Sequence, residues 1–555
     1  MRTVDWIILV ASLVGIVGYG LYRARGSRTT ESYLLAGKTM RWWVIGLSIM
    51  ATQASAITFI GTTGQGYSDG MRFVQFYFGL PIALVIISAV AAPRFAASGV
   101  YTAYEFLEKR FDLKTRTLAS LVFLVQRGLG VGLALYAPAV VLSVILGWSE
   151  GATTVVMGTI VVAYTVMGGI KAVMWTDAQQ MLVMFAGLVV AFFSAVWGLP
   201  DGVGFFDALT LAGAAGKLQA VDLHFDPSSR YNLWSGLIGG TFLALAYFGT
   251  DQSQVQRYLT AKDLTHSRIS LLFNAVVKVP LQFCILLTGA MVFSFFLFEA
   301  PPALFNPAAA EQARASDPER MAAIDGRYAE ALAARGEAAH AMLGSESAAT
   351  REGFLRSEDR VLAVRAEAVA LAEETSGASY NDTNYVFLSF VIRHLPAGIV
   401  GLIIAAVFAA AMSTISAELN SLATATTVDH YKRYIRPRAD DRQSTRVAQI
   451  ATAFWGVYAT VFASFAGQLG SLIEAVNMVG SLFYGAMLGV FALAFGSKRC
   501  TGAGAFVGVL AGLAAVAYTR MFSEITFLWF NVIGCAVTVV VGLALSGRGN
   551  EERTA

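Results

Sequence analysis

Between residues 401 and 431 the chain reads GLIIAAVFAAAMSTISAELNSLATATTVDHY, an apolar run that turns polar behind Met412. Ser413, Thr414, Ser416, Asn420, Ser421, Thr424, Thr426 and Thr427 crowd its second half. Ser413 and Ser416, like Ser416 and Asn420, are three and four residues apart, so on a helix they share one face. Hydroxyls facing lipid are costly unless they meet a partner. Beside the small residues Ala409, Ala410 and Ala411, such a stripe packs closely against another helix, coordinates a cation, or does both.

Four further places hold polarity that lipid would forbid. Gln53, Ser55 and Thr58 sit inside WWVIGLSIMATQASAITFIGTTGQGYSDG among small and β-branched residues. A helix that breaks there frees carbonyls, which are good cation ligands when they line a cavity. Arg127 lies well inside LASLVFLVQRGLGVGLALYAPAVVL, too deep for easy snorkelling. It is either a functional group or one half of a structural pair with a carbonyl or carboxylate. Lys278, in LLFNAVVKVPLQF, carries the same choice, with snorkelling as a third option. Asp177, in GGIKAVMWTDAQQ at the inner mouth of an apolar run, is either a functional group or a helix N-cap.

The elements that must position these groups are membrane spans. Of 555 residues, 56% are hydrophobic and only 14% charged, with mean hydropathy +0.60, which excludes a soluble globular chain. Thirteen apolar runs are candidates: 4–22, 42–61, 73–93, 117–147, 152–168, 177–199, 233–249, 269–298, 396–424, 447–466, 471–496, 502–518 and 525–546. The first reads as a retained helix rather than a signal peptide. Net charge +3 gives no reason to expect nucleic acid, and Cys284, Cys500 and Cys535 are too far apart for a metal motif or a disulfide framework.

Basic residues set the orientation. Arg23, Arg25, Arg28, Lys38 and Arg41 fall in one connection, and Arg94, Lys109, Arg110, Lys114 and Arg116 in another. Lys171, then Arg257, Lys262 and Arg268, then six between Lys432 and Arg446, then Lys498 and Arg499 fall in alternate later ones, while 148–151 and 467–470 hold none. The positive-inside rule therefore puts the N-terminus outside and the C-terminus, with Arg548 and Arg553, in the cytoplasm. Residues 299–383 break the pattern. Charges interleaved with apolar residues predict two exposed amphipathic helices in a hairpin outside the membrane, either a partner-binding element or a solvated insertion.

Four stretches now carry a resemblance: GTTGQGYSDG, MGGIKAVMWTDAQQ, YFGTDQSQVQRYLTAKD and AAAMSTISAELNS. In their order and spacing the chain resembles the sodium:solute symporter family over roughly residues 1–520. The resemblance implies an all-α membrane protein of about 13 transmembrane helices with a LeuT-like 5+5 inverted repeat. Residues 1–41 would form an extra N-terminal helix and linker, 42–199 the first repeat, and 200–232 an external loop. Residues 233–496 would form the second repeat, interrupted at 299–383, and 497–555 two C-terminal helices with a short tail. Cargo would bind mid-membrane, where the first helix of each repeat unwinds.

The resemblance also assigns roles. Na⁺ would meet the carbonyls of Ala51, Ala54 and Ala410 and the hydroxyls of Ser413 and Thr414, neutral ligands that suit an ion that must leave again. Asp177 matches an acidic residue on the inward ion path. Ser416 matches one of two serines at a second ion site, but Ala417 lacks the other hydroxyl, so one or two Na⁺ stay open. The solute would meet Gln53, Ser55 and Thr58, the segment from Phe73 with Gln75 and Tyr77, and Tyr247, Phe248, Lys278 and Asn477. Sugar-carrying members have an Asn where this chain has Ala244 and an acid where it has Tyr77, which disfavours a hexose. Arg127 resembles the arginine that pairs with a carboxylate in the acid-carrying branch.

The expectation is thus a non-enzymatic, Na⁺-coupled importer of a small organic anion, a sugar acid or monocarboxylate, in the inner (plasma) membrane. Its partners would be the solute, Na⁺ and the bilayer, with no nucleic acid and no obligatory protein partner. A neutral sugar as cargo, proton coupling through Asp177, or a membrane sensor of the same fold are the alternatives. An intramembrane enzyme fits less well, because His224, His266, His340, His394 and His430 fall at loops or span ends and no HExxH occurs.

Overall fold

The computed structural model describes residues 2–24, 29–56, 58–377, 379–465 and 472–551. Arg25, Arg28, Arg553 and the short connection 467–470 lie outside the described residues. Helices account for nearly all the regular structure, and among the described residues the one β contact is an isolated bridge between Met40 and Ala261.

The spanning layer is built, in chain order, from α1 (Thr3–Ala24), α2 (Trp42–Gln53), α3 (Thr63–Ser68), α4 (Leu80–Ser98), α5 (Leu113–Leu146), α6 (Glu150–Met167) and α7 (Gly169–Trp197). It continues through α8 (Gly240–Thr250), α9 (Gln252–Leu259) and α10 (Leu264–Phe298). The inserted α11 (Pro307–Ser316), α12 (Pro318–Gly344) and α13 (Ala348–Ser376) follow, and then α14 (Thr383–His394). The remainder is α15 (Ile399–Ala425), α16 (Asp441–Ala463), α17 (Leu472–Gly496), α18 (Gly502–Phe522) and α19 (Phe527–Glu551). Polar caps start the long helices: Asp112 accepts from the Thr115 amide at 2.8 Å to begin α5, and Asp263 from the His266 amide at 2.9 Å to begin α10.

Ten helices among the described residues are long and apolar enough to cross a membrane, or eleven with the bent pair of α2 and α3 counted as one span. Two of the thirteen expected spans are weaker than that. Residues 233–249 form the shorter apolar stretch Ser235–Thr250, and 447–463 belong to α16, whose first turns are polar.

Three breaks matter. After Gln53 the chain leaves helical geometry at Ala54 (φ −83°, ψ 60°) and re-enters through a wide turn at Thr58–Thr62, bending the span by 64°. A second break falls at Asp251, whose extended backbone (φ −80°, ψ 122°) separates α8 from α9. The expected span 233–249 therefore has a continuation that apolarity alone does not reveal, since α9 is QSQVQRYL. Gly169 (φ 59°) separates α6 from α7, and a Cβ there would stand 2.8 Å from the Tyr33 carbonyl oxygen.

Around the first break, close approach does the positioning. A Cβ on Gly66 of α3 would stand 2.4 Å from the Leu286 carbonyl, and one on Gly289 of α10 would stand 2.2 Å from that of Thr63. Glycine on both surfaces lets α3 lie backbone-to-backbone on α10. At the centre, every residue of α15 from 403 to 425 is buried, and α15 packs against α7, α5 and α1. A helix apolar nearly all round has no solvent face, so its few polar groups must all find partners inside.

The insertion is helical, with α12 packed along α13. Arg335, 3% exposed, donates to Glu358 at 3.0 Å and to the Phe296 carbonyl at 2.6 Å in the last turn of α10. One side chain thus bridges the two helices of the hairpin and satisfies a carbonyl that the end of α10 leaves open.

Candidate functional site

Two polar clusters meet on α15. The first is the expected ion site. Thr414 Oγ1 donates to the Thr52 carbonyl at 3.0 Å and to the Ala410 carbonyl at 3.2 Å, so one hydroxyl ties the end of α2 to α15. Thr58 Oγ1 donates to the Gln53 carbonyl at 2.9 Å across the break. Ser413 Oγ donates to Asp177 Oδ1 at 2.5 Å, and Ser48 Oγ to Asp177 Oδ2 at 2.5 Å. Ala51, Ala54, Ala410 and Ser413 are at most 1% exposed, and Thr414 is buried. The donor set is carbonyl and hydroxyl oxygen from a broken helix and its neighbour, chemistry that suits a hard monovalent cation.

Asp177 lies inside α7, not at a helix start, so it is no N-cap. Behind it stands Arg257 of α9. Its Nη2 donates to Asp177 Oδ2 at 3.1 Å and its Nε to Ser48 Oγ at 3.0 Å, with both side chains fully buried. Arg257 is therefore a buried, paired residue of a helix rather than the exposed connection residue that its place after an apolar run implied. The broken span carries it inward on the short α9. Ser416 is buried with its hydroxyl returned to the Ser413 carbonyl at 3.1 Å.

The second cluster forms one wall of a cavity between the two breaks. Gln53, Ser55, Thr58, Tyr77, Arg127, Tyr247, Phe248, Lys278 and Asn477 all line it. Gln75 does not. It is buried beside the cavity, where Oε1 accepts the Asp222 amide at 2.9 Å and Nε2 donates to the Tyr231 carbonyl at 3.2 Å, clasping the loop before α8. An amide with both ends taken by backbone is spent on structure.

Sequence reasoning missed the acids. Arg127 Nη1 donates to Glu418 Oε1 at 2.7 Å, its Nη2 to Tyr484 Oη at 2.9 Å and to Asp251 Oδ2, and its guanidinium carbon stands 5.5 Å from the Tyr247 ring centre. Asp251 caps α9 with its other oxygen, accepting from the Ser253 amide at 2.9 Å. Two carboxylates thus share one guanidinium at the second break. Glu418 was legible as an acid four residues beyond Thr414 on a buried helix, a default functional position. Lys278 is the converse. Its Nζ is buried without a hydrogen-bond partner, 5.6 Å from the Tyr77 ring centre.

A span broken at mid-length and a second helix interrupted at Asp251, flanking a shared polar cavity, are the features of a secondary transporter, a protein that holds cargo where helix ends supply free backbone groups. Residues 33–324 and 360–512 match the Sodium:solute symporter family, and the chain belongs to that family. The unmatched 325–359 is the tip of the α12 and α13 hairpin. The chain is 27% identical over 512 residues to the sodium-coupled monocarboxylate transporter 2 of Mus musculus, covering 92% of this chain and 71% of that protein. It is 28% identical over 525 residues to the sodium/glucose cotransporter of Vibrio parahaemolyticus, covering 92% and 84%. A solved structure of a substrate-bound, outward-open Na⁺-coupled sialic acid symporter aligns with TM-score 0.77 and 24% identity over 98% of both chains, a likeness of fold.

Proposed function

We propose that the protein couples the entry of Na⁺ to the import of a small organic carboxylate, and that Lys278 is the group that receives the carboxylate. The observation that carries this is the unpartnered Lys278 Nζ, fully buried in the wall of the cavity. A buried charge without a counter-ion is costly, and an anionic solute supplies the counter-ion. The role first expected of Arg127 passes to Lys278, because both terminal nitrogens of Arg127 are already taken by Glu418, Asp251 and Tyr484 and only its Nε is left unpartnered, whereas the whole Lys278 amine lacks a hydrogen-bond partner. The named monocarboxylate carriers among its relatives favour the same class.

On this reading Na⁺ binds at Ala51, Ala54, Ala410, Ser413 and Thr414, with Asp177 and Ser416 on its exit path. Gln53, Ser55, Thr58, Tyr77, Tyr247, Phe248 and Asn477 enclose the solute. The N-terminus lies outside the inner membrane, the C-terminus lies in the cytoplasm, and the 299–383 insertion stands on the outer face. The protein is no enzyme, and it works without an obligatory protein partner.

The test is uptake into liposomes under an inward Na⁺ gradient, with short monocarboxylates, sugar acids and neutral sugars, for the wild type and Lys278→Met. A carboxylate accumulated with Na⁺ but not with K⁺, and lost at least about tenfold in Lys278→Met, is the expected result, since one charge-assisted contact is worth that much or more. Accumulation of a neutral sugar alone would refute the carboxylate reading.

A further inference from the structure

Lys278 is not the only unmatched group in the cavity. Glu418, 4% exposed, gives Oε1 to Arg127 but leaves Oε2 buried with no hydrogen-bond partner. Gln53 likewise holds its Nε2 buried and unpartnered. Arg127 Nε is buried and unpartnered too, and all four residues line the one cavity. Native interiors pair nearly all buried polar atoms, so unpaired ones gathered around a cavity describe its ligand in negative. Lys278 Nζ, Gln53 Nε2 and Arg127 Nε are donors and ask for an acceptor. Glu418 Oε2, on a carboxylate already held by one guanidinium nitrogen, asks for a donor.

We infer that Glu418 is a specificity-determining residue, and that the transported carboxylate also carries a hydrogen-bond donor, a hydroxyl or an amino group, which Glu418 Oε2 accepts. This rests on the carboxylate reading of the cavity and adds a second requirement to it. The carboxylate takes Lys278, and the donor takes the α15 end. A carboxylate bearing only hydrocarbon would leave Glu418 Oε2 unmatched after the cavity closes. A site built to bond a hydroxyl or amine rejects the analogue without it far more strongly than an apolar pocket rejects a change of size.

The experiment compares propanoate, 2-hydroxypropanoate and 2-aminopropanoate, and hexanoate with gluconate, by Na⁺-driven uptake in liposomes. The wild type is expected to take at least one donor-bearing acid with kcat/KM about tenfold or more above its plain partner. Whether hydroxyl or amine is preferred identifies the donor. Glu418→Gln turns the accepting oxygen into a donating amide, and the preference is expected to fall to within about twofold, with Na⁺-dependent thermal stabilisation as the check on folding. Equal uptake of plain and donor-bearing acids by the wild type would overturn the inference, as would a preference that survives Glu418→Gln. The wild-type comparison decides the matter even if the variant fails to fold. Failure of the carboxylate reading looks different: methyl esters would be carried as well as acids, or no acid would be carried at all.

Discussion

Asp177→Asn and Arg257→Met isolate the buried pair that backs the ion site. Both side chains are fully buried and stand 3.1 Å apart, on α7 and on the short α9 beyond the second break. Removing either partner strands the other charge, which destabilises by roughly 3–5 kcal/mol. In Asp177→Asn the hydroxyls of Ser48 and Ser413 keep an amide oxygen or rotate to meet the amide nitrogen, so lost hydrogen bonds add less than the stranded guanidinium does. The double variant removes both charges, and its loss should fall short of the sum of the single losses by about 2 kcal/mol or more. The assay is unfolding of the four proteins in detergent without Na⁺, repeated at high salt, where a buried pair should hold because screening does not reach it. Additive losses, or an Arg257→Met protein within about 0.5 kcal/mol of the wild type, would refute the reasoning.

Other consequences are separable from that one. Thr414→Val keeps the shape of a side chain whose oxygen bridges Thr52 and Ala410, but deletes the oxygen. The Na⁺ concentration that half-stabilises the protein should rise about tenfold, as loss of one strong oxygen contact predicts. An unchanged value would remove Thr414 from the ion site. At the membrane surface, burial works to raise the Glu108 carboxyl, but hydrogen bonds from Arg116 and Arg433 outweigh it and hold its pKa below the usual carboxylate value. A carboxylate lowered on folding stabilises above its unfolded pKa, and that stability is lost as pH falls through the folded pKa. Glu108→Gln should therefore flatten the acid limb of the stability profile below about pH 4.5 and leave neutral pH less stable. An identical acid limb would show that the contact contributes nothing.

How far the sequence reached depends on the range of each interaction. The hydroxyl face of α15 was legible because helical spacing alone puts Ser413 and Ser416 together, and the break near Ala54 because small and polar residues interrupt a span. The partners were not legible. Arg127 meets Glu418 and Asp251 across 291 and 124 residues, and nothing local to Arg127 distinguishes a cavity wall from a substrate ligand. Arg257 follows an apolar run and so imitates an exposed connection residue. Only the break at Asp251, with its N-cap bond to Ser253, turns the polar QSQVQRYL into a buried helix that carries the charge inward. Gln75 failed for the same reason, since its backbone partners at Asp222 and Tyr231 are set by the fold of a distant loop.

The arrangement of charge in the cavity bears on why two cargoes would travel together. Formally the walls hold two cations, Arg127 and Lys278, and one anion, Glu418, with a second anion, Asp251, paired to Arg127 behind the wall, yet the charges are not evenly paired. Both anions gather on Arg127 near the second break, which leaves that end one negative charge in excess and the Lys278 end one positive charge in excess. Glu418 lies one helical turn from Thr414, so on the proposed reading Na⁺ arrives beside the surplus acid and the carboxylate arrives at the lone amine. In a low-dielectric cavity each charge is stabilised chiefly by the neighbour it meets directly. Na⁺ alone would leave Lys278 unpaired, and the carboxylate alone would leave the acids in excess. Occupancy by both is the state in which neither end of the closed cavity holds an unmatched charge, and that gives the coupling an electrostatic basis needing no contact between the two cargoes.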